Sequence, residues 1–256
     1  MKKTLALLSA LFVFLSFSTL QSQTAESIVD SYIETIGGKK NLEALKSLKL
    51  ICKAQAQGME LPVTMYQKAP NKQRMDMNFQ GQEITQMCFD GETGWSTNFM
   101  TMKPEKWDAE QSEIMKTEST FPDPFLNYKE KGYTVSLEGE EEIEGTMCYK
   151  IKLTKKPLTI GGEEVENFSY YFIDKETNVT IMQRDFAKVG EMKGQATETF
   201  FSDYDEVEGI YFPFTISQKM NGQPVFAVSV EEAKANIDMD DEVFAFPEEA
   251  ASEDKE

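Results

Sequence analysis

Tyr66–Phe99, YQKAPNKQRMDMNFQGQEITQMCFDGETGWSTNF, contains three strand patterns joined by turns and decides the fold class. Met75, Met77 and Phe79 alternate with Arg74, Asp76 and Asn78, the period of two that gives a strand one apolar and one polar face. Gln80-Gly81 turns the chain and Ile84 to Phe89 forms the next strand. Asp90-Gly91-Glu92-Thr93-Gly94 then supplies the small, φ-tolerant residues of a hairpin loop before Trp95 opens a third. Sheet builds up here by pairing of neighbours.

The alternation extends both ways. Upstream, Leu48, Leu50, Cys52, Ala54 and Ala56 mark a first strand, and Leu61, Val63 and Met65 face one side of a second. Downstream come Tyr133 to Leu137, Met147-Tyr149-Ile151-Leu153, Phe168-Tyr170-Phe172, Val179 to Phe186, Glu198 to Tyr204, Gly209 to Lys219, and Val225 to Val230. Gly161-Gly162, Asp174 to Asn178 and Asn221-Gly222-Gln223-Pro224 are the turn signals between them. The fold class is mainly β (α+β): an antiparallel sheet of about eleven strands, too large to stay flat, curled into a half-barrel whose concave face needs filling. The fillers are helices. Ala25 to Leu48 reads as a helix broken or bent at Gly37-Gly38, with Ile28, Val29, Tyr32, Ile33 and Ile36 on one face and Leu42, Leu45 and Leu48 continuing the stripe. Pro104 to Glu118, carrying Trp107, Ile114 and Met115, predicts a short helix, and Phe121-Pro122-Asp123-Pro124-Phe125-Leu126 a rigid apolar loop. That loop either covers the mouth of the sheet or tucks its rings into the core.

Ala69-Pro70-Asn71 running into a strand, a second strand, then Asp90-Gly91-Glu92-Thr93-Gly94-Trp95 followed by Asn98-Phe99 resembles the LolA-like lipoprotein carriers of the LolA/LolB superfamily. The likeness spans roughly residues 60 to 100 and is strand rhythm elsewhere. It implies a helix-covered half-barrel that shields the acyl chains of lipoproteins or other lipids in sorting to the outer membrane, with a membrane-bound donor or acceptor protein as partner. One position departs from the family pattern. Those carriers commonly place an arginine immediately before the proline, where it resembles a latch between sheet and helices, whereas this chain has Ala69 there with Lys68 beside it. Alternation makes Leu61, Val63, Met65, Met75, Met77, Phe79, Trp95 and Phe99 the candidate ligand wall, and Ile33, Ile36 and Trp107 the candidate lid.

The 14 methionines and 18 phenylalanines supply soft apolar surface, and Met59, Met65, Met75, Met77, Met87, Met100 and Met102 cluster in the first part of the sheet. An unbranched, polarisable side chain fits acyl chains of differing shape. No histidine is present, which removes the commonest general base, the Ser-His-Asp triad and histidine-bearing zinc sites together. Cys52, Cys88 and Cys148 lie at no metal-binding spacing, and EGEEEIE at 138–144 lacks the ordered spacing of a calcium loop, so it reads as a solvated hairpin edge and no cofactor or metal is expected. The two arginines, Arg74 and Arg184, read as surface ion-pairing residues.

Met1-Lys2-Lys3, the apolar run Leu5 to Phe17 and the small or polar residues that follow form a signal peptide, residues 1–23, with cleavage after Ser18, Ser22 or Gln23. The run is too short to span a bilayer and no second long one follows, so the mature chain has no integral membrane segment and resides in the periplasm or outside the cell. Loss of Lys2 and Lys3 takes the formal charge from −18 to about −20, which repels phosphate backbones and anionic head groups and argues against nucleic acid as a partner and against electrostatic docking on anionic lipid. Residues 24–246 form one half-barrel domain and 247–256, PEEAASEDKE, an acidic tail. The expected function is a lipid-binding carrier that catalyses no reaction. Two other classes stay open: a periplasmic sensing or interaction module of the same fold, and a secreted hydrolase that would need two carboxyls with separated pKa values in a cleft.

Overall fold

The computed structural model describes residues 23–247 apart from Gln57 and Glu191. The expected signal segment, except Gln23, and the expected acidic tail, except Pro247, lie outside the described residues. Strands β1 (Ser47–Ala56), β2 (Met59–Lys68), β3 (Lys72–Phe79), β4 (Gln82–Phe89), β5 (Gly94–Thr97) and β6 (Pro104–Lys106) form one antiparallel meander. β7 (Thr134–Ile143) and β8 (Thr146–Thr154) begin a second, which a small detached hairpin of β9 (Leu158–Ile160) and β10 (Glu163–Val165) interrupts. β11 (Phe168–Asp174), β12 (Thr180–Phe186), β13 (Ala196–Val207), β14 (Ile210–Met220) and β15 (Gln223–Ala235) complete it. β1 pairs with β15 and fuses the two meanders into one curved sheet of 13 strands that is not closed, with β6 and β7 at its edges.

Two of the sequence expectations need correcting. Pro104 to Glu118 is not one helix: Pro104–Lys106 is the edge strand β6, where a missing N–H faces no partner, and helix α3 (Ala109–Glu118) starts only at the cap Asp108. The Asp108 carboxylate accepts from Gln111 N and the Gln111 side chain accepts from Asp108 N. The helix expected over Ala25 to Leu48 is broken at Gly37-Gly38, as one of its two readings had it, into α1 (Ala25–Thr35) and α2 (Gly38–Ala44), but it ends early and Leu48 belongs to β1. Thr24 and Ser27 cap α1 reciprocally, which fixes where it begins.

Leu48, Leu50, Cys52 and Ala54 of β1 point to the face that carries α1 and α2, here called the inner face. The register carries that face across the sheet, since Cys52 pairs with Val63 and Val63 with Met77, while Val228 and Val230 oppose Ala54 and Cys52 from the other side. Ile28, Val29, Tyr32, Ile33 and Ile36 close over it, joined by Phe121, Phe125 and Leu126 of the proline loop. The loop's rings are therefore core residues. The outer face is also covered at one end, where residues 236–247 cross β1 to β5 and bury Cys88, Trp95 and Phe244. Cys52, Cys88 and Cys148 lie in three different clusters as free thiols, and burial pushes them up to about 11, about 12 and about 11 respectively.

The α1–α2 turn sits hard against the β13–β14 turn. Gly37 has φ +128°, Tyr211 N donates to Ile36 O at 3.0 Å, and a Cβ at Gly37 would lie 2.4 Å from Gly209 O. Gly37→Ala is expected to destabilise the protein by about 1–3 kcal/mol through backbone strain and lost helix docking. The check is a lower midpoint in urea at unchanged m value, and an unshifted midpoint would contradict the close approach.

Candidate functional site

Of the eight candidate wall residues, six share the inner face. Leu61, Val63 and Met65 pair with Ala54, Cys52 and Leu50, and Met77 and Met75 pair in turn with Val63 and Met65. Phe79 follows Met77 by two positions, half-buried near the β3–β4 turn. Val63 is fully buried, whereas Leu61, Met65, Met75, Met77 and Phe79 remain partly accessible. The wall is soft and incompletely covered.

Trp95 and Phe99 lie elsewhere. Trp95 pairs with Cys88 and Cys88 with Arg74, which sets it on the outer face, where its Nε1 donates to Phe244 O at 3.4 Å. A bulge in β4, between the partners of Met75 and Asp76, separates simple alternation from the true facing of β4 and β5. Phe99, on the β5–β6 loop, is 56% exposed. Of the lid candidates, Ile33 and Ile36 are buried in the inner core, while Trp107 packs on the bare backbone of Gly94 and donates from Nε1 to Ser96 Oγ at 3.2 Å.

Among the cavities beside the helices and the proline loop, two share walls. One, of about 190 Å³, is walled mainly by apolar groups, among them Ile36, Leu42, Phe201, Ile210 and Phe212. Within its wall Tyr32 Oη donates to Asp123 Oδ2 at 2.7 Å, and Thr180 Oγ1, buried, has no hydrogen-bond partner among the described residues. Burial pushes the Asp123 carboxyl above the usual aspartate range even though Tyr32 and the Phe125 N–H donate to it. The second cavity, of about 320 Å³, is polar and lined by Gln73, Glu118, Ser119, Lys155, Gln183 and Asp185 among others. Gln73 Nε2 ties β3 to the end of α3 through Ser119 Oγ at 2.6 Å. Glu118 accepts from Lys155 and Lys188; burial alone would raise it, but the two ammoniums hold its carboxyl below the usual glutamate range. Burial raises Asp185, which takes its hydrogen bonds from Ser169 and Gln183.

Alternation in the sequence does not flag Asp123 or Lys155. The one signal available was an aspartate set between two prolines and two phenylalanines, which places a carboxyl within an apolar loop. Arg74 is more than a surface residue. It directs Nε to both oxygens of the buried Asp76 at 2.9 and 2.8 Å and Nη1 to Val243 O at 2.8 Å, so it clamps the C-terminal segment to the sheet. Lys68, next to the pre-proline position, reaches Met239 O and Asp241 of that same segment. Arg184 pairs with Glu141 and Glu198 on the outer face, as an ion-pairing residue should. Among the described residues no group of three His, Cys, Asp or Glu is placed to hold a metal ion, and no helix is long and apolar enough to cross a membrane.

This architecture recurs in solved structures. A LolA superfamily protein from Nitrosomonas europaea superposes with a TM-score of 0.54 at 13% identity, over 88% of this chain and 98% of that one. A DUF1329 family protein from Desulfovibrio piger gives 0.53 at 13%, over 86% and 97%. A candidate outer membrane lipoprotein-sorting protein domain from Vibrio parahaemolyticus gives 0.54 at 9%, over 86% and 97%. No protein-family model matches the sequence, and no curated protein matches it by sequence. The chain has the LolA-like half-barrel fold.

Asp123 and Glu118 give opposite pH behaviour. Between the ordinary aspartate pKa, near 4, and the raised value of Asp123, the folded chain holds a proton that the unfolded chain has lost, so this group's contribution to stability falls as pH rises. For Glu118 the folded pKa is the lower one, so its contribution is present above the ordinary range and lost as pH falls through the depressed value. Urea titrations of wild type and Asp123→Asn from pH 4 to 8 should show the difference moving toward wild type on acidification; a pH-independent difference would rule out the buried carboxyl.

Proposed function

We propose that the protein is an exported lipid carrier, which shields acyl chains of lipoproteins or other lipids on the inner face of the half-barrel. The observation that carries this reading is the partly accessible, methionine-lined inner wall lying under short helices. Met65, Met75 and Met77 pack against the core without being fully enclosed by it. The polar ties of α1 and α2 to the remainder include Tyr32 to Asp123, Tyr211 N to Ile36 O, Asn41 to Gly209 O, Asn127 to Glu43 and Lys39 to Glu130, the last two exposed, and beside them stands the buried Ile and Val face of α1. Export is supported by the N-terminal sequence, which has the order of a charged, an apolar and a small-residue region.

Magnitudes favour an exchange. Ile28, Val29, Ile33 and Ile36 of the α1 segment contribute about 1.5–3 kcal/mol each, roughly 6–12 kcal/mol together, when they fill the inner face. A ligand chain burying about a dozen methylenes contributes on the order of 10 kcal/mol in their place. Near balance of the two is what a carrier requires, because a much stronger site would not release its cargo to a membrane-bound acceptor. The cavity of about 190 Å³ under α1 and α2 is smaller than the ~300–1,000 Å³ of most small-molecule sites, so a long chain enters only if these helices shift.

The test is native mass spectrometry of the protein purified gently from its own extract, followed by titration with a diacylated lipopeptide. Co-purifying lipid or lipopeptide binding is expected, with Met65→Glu and Met77→Glu weakening binding at least tenfold and Phe99→Ala leaving it unchanged. A clean protein mass together with no lipopeptide binding would sink the carrier reading and leave the interaction module as the better account.

A further inference from the structure

We propose that the inner face takes a single-chain amphiphile with a carboxylate head, its head at Lys155 and its chain in the apolar cavity beneath α1 and α2. This deepens the carrier reading and rests on it. The polar and apolar cavities share Pro124, Tyr171 and Gln183 as walls, so they lie on opposite sides of the same three residues. The polar cavity alone, about 320 Å³, is inside the ~300–1,000 Å³ typical of small-molecule sites, and the dividing side chains and the helices must shift for a chain to pass into the apolar one of about 190 Å³.

Charge selects the head group. The Lys155 side chain is 3% exposed, yet among the described residues its ammonium, with three N–H donors, has one side-chain acceptor, Glu118 Oε2 at 2.7 Å. Glu118 is held at its other oxygen by Lys188 at 2.6 Å, so one carboxylate serves two cations and the trio keeps a net positive charge. A buried ammonium with unused donors is costly unless an acceptor reaches it. Asp185, the other acid on the cavity wall, is occupied by Ser169 and Gln183 donors, and its burial favours the neutral form. An anionic head therefore meets the unused Lys155 donors beside two carboxyls, Glu118 held by both lysines and Asp185 held by Ser169 and Gln183.

Shape limits the tail. The apolar compartment, about 190 Å³, is close to the ~150 Å³ of an engineered cavity that holds one benzene, which is room for a segment of one chain. The Phe201 and Phe212 rings, with Ile36 and Leu42, give it an apolar lining. Tyr171, edge-on to Phe125 with ring centroids 4.7 Å apart, stands at the division where the head-to-tail junction would lie.

Calorimetric titration of the purified protein with dodecanoate, dodecanol and acetate tests this directly. Dodecanoate should bind at least tenfold more tightly than dodecanol, and acetate at the same concentration should not displace it. Lys155→Met should bring dodecanoate to the affinity of dodecanol, Lys155→Arg should keep the preference, and Phe201→Trp should weaken both ligands by narrowing the tail compartment. Equal affinities in the wild type, or a preference that survives in folded Lys155→Met, would overturn the proposal; displacement by acetate would reduce it to a small-anion site. The wild-type comparison needs no variant, so loss of folding in Lys155→Met leaves the proposal testable. Lipopeptide binding without a carboxylate preference would defeat this inference alone, whereas failure of lipopeptide and all chain-bearing probes would defeat the carrier reading with it.

Discussion

The pairing of β1 with β15 is the constraint on which the rest depends. Each meander alone would be an open sheet with an unpaired inner strand, and joining them produces a sheet of 13 strands whose width forces it to curl. The seam is made by strands near the two ends of the described chain, so it is a contact of long sequence separation that no local signal encodes. Its inner residues are small or aliphatic: Cys52 and Ala54 on one side, Val228, Val230, Ala233 and Ala235 on the other. These residues join the Ile and Val face of α1 in one inner core. The cost of joining at the middle is two free edges. β7 carries the acid run of 138–144, and a charged strand resists pairing with another chain.

The inner face is not uniformly apolar, and its polar groups sit together under the proline loop. Burying Asp123, Lys155 and Asp185 is tolerable only because each is hydrogen-bonded, Asp123 to Tyr32 and a backbone N–H, Lys155 to Glu118, Asp185 to Ser169 and Gln183. Those partners come from α1, α3, the loops and several strands, so the network ties the covering elements to the sheet at one place. Away from it the buried Ile and Val face of α1 makes apolar contact, which lacks direction and can be exchanged for another apolar body. The division gives a fixed polar end and a replaceable apolar one.

The outer face shows why a polar strand face need not be a solvent face. Arg74, Asp76 and Thr85 form a buried network beneath residues 236–247, with the Arg74 guanidinium 5.7 Å from the centre of the Trp95 ring. At the other half of the sheet, lysines and arginine lie over aromatic rings, as Lys152 does over Phe168 at 4.2 Å and Arg184 over Phe172 at 4.8 Å. Long cationic stems there cover Cys148, Phe172 and Met182 while their charged ends pair with glutamates.

The strands, their turns and most of the inner wall were legible in the sequence, because a half-buried strand writes its facing as a period of two and a hairpin writes its turn in Gly, Asn and Asp. Val63, Met65, Met75 and Met77 follow directly from that. Trp95 did not, since a single extra residue in β4 reverses facing and leaves no mark in composition. Nor could the strand order be read at the seam, the division of Pro104–Glu118 into strand and helix, or the meeting of Asp123 with Tyr32 across 91 positions of chain. The sequence by itself determined the class of secondary structure, the apolar faces and the absence of histidine chemistry, all of which are local or additive properties. Only the tertiary structure decided which faces are covered, by what, and where the buried charges gather, because those depend on contacts between segments far apart whose free energy exists only once the whole sheet has closed around them.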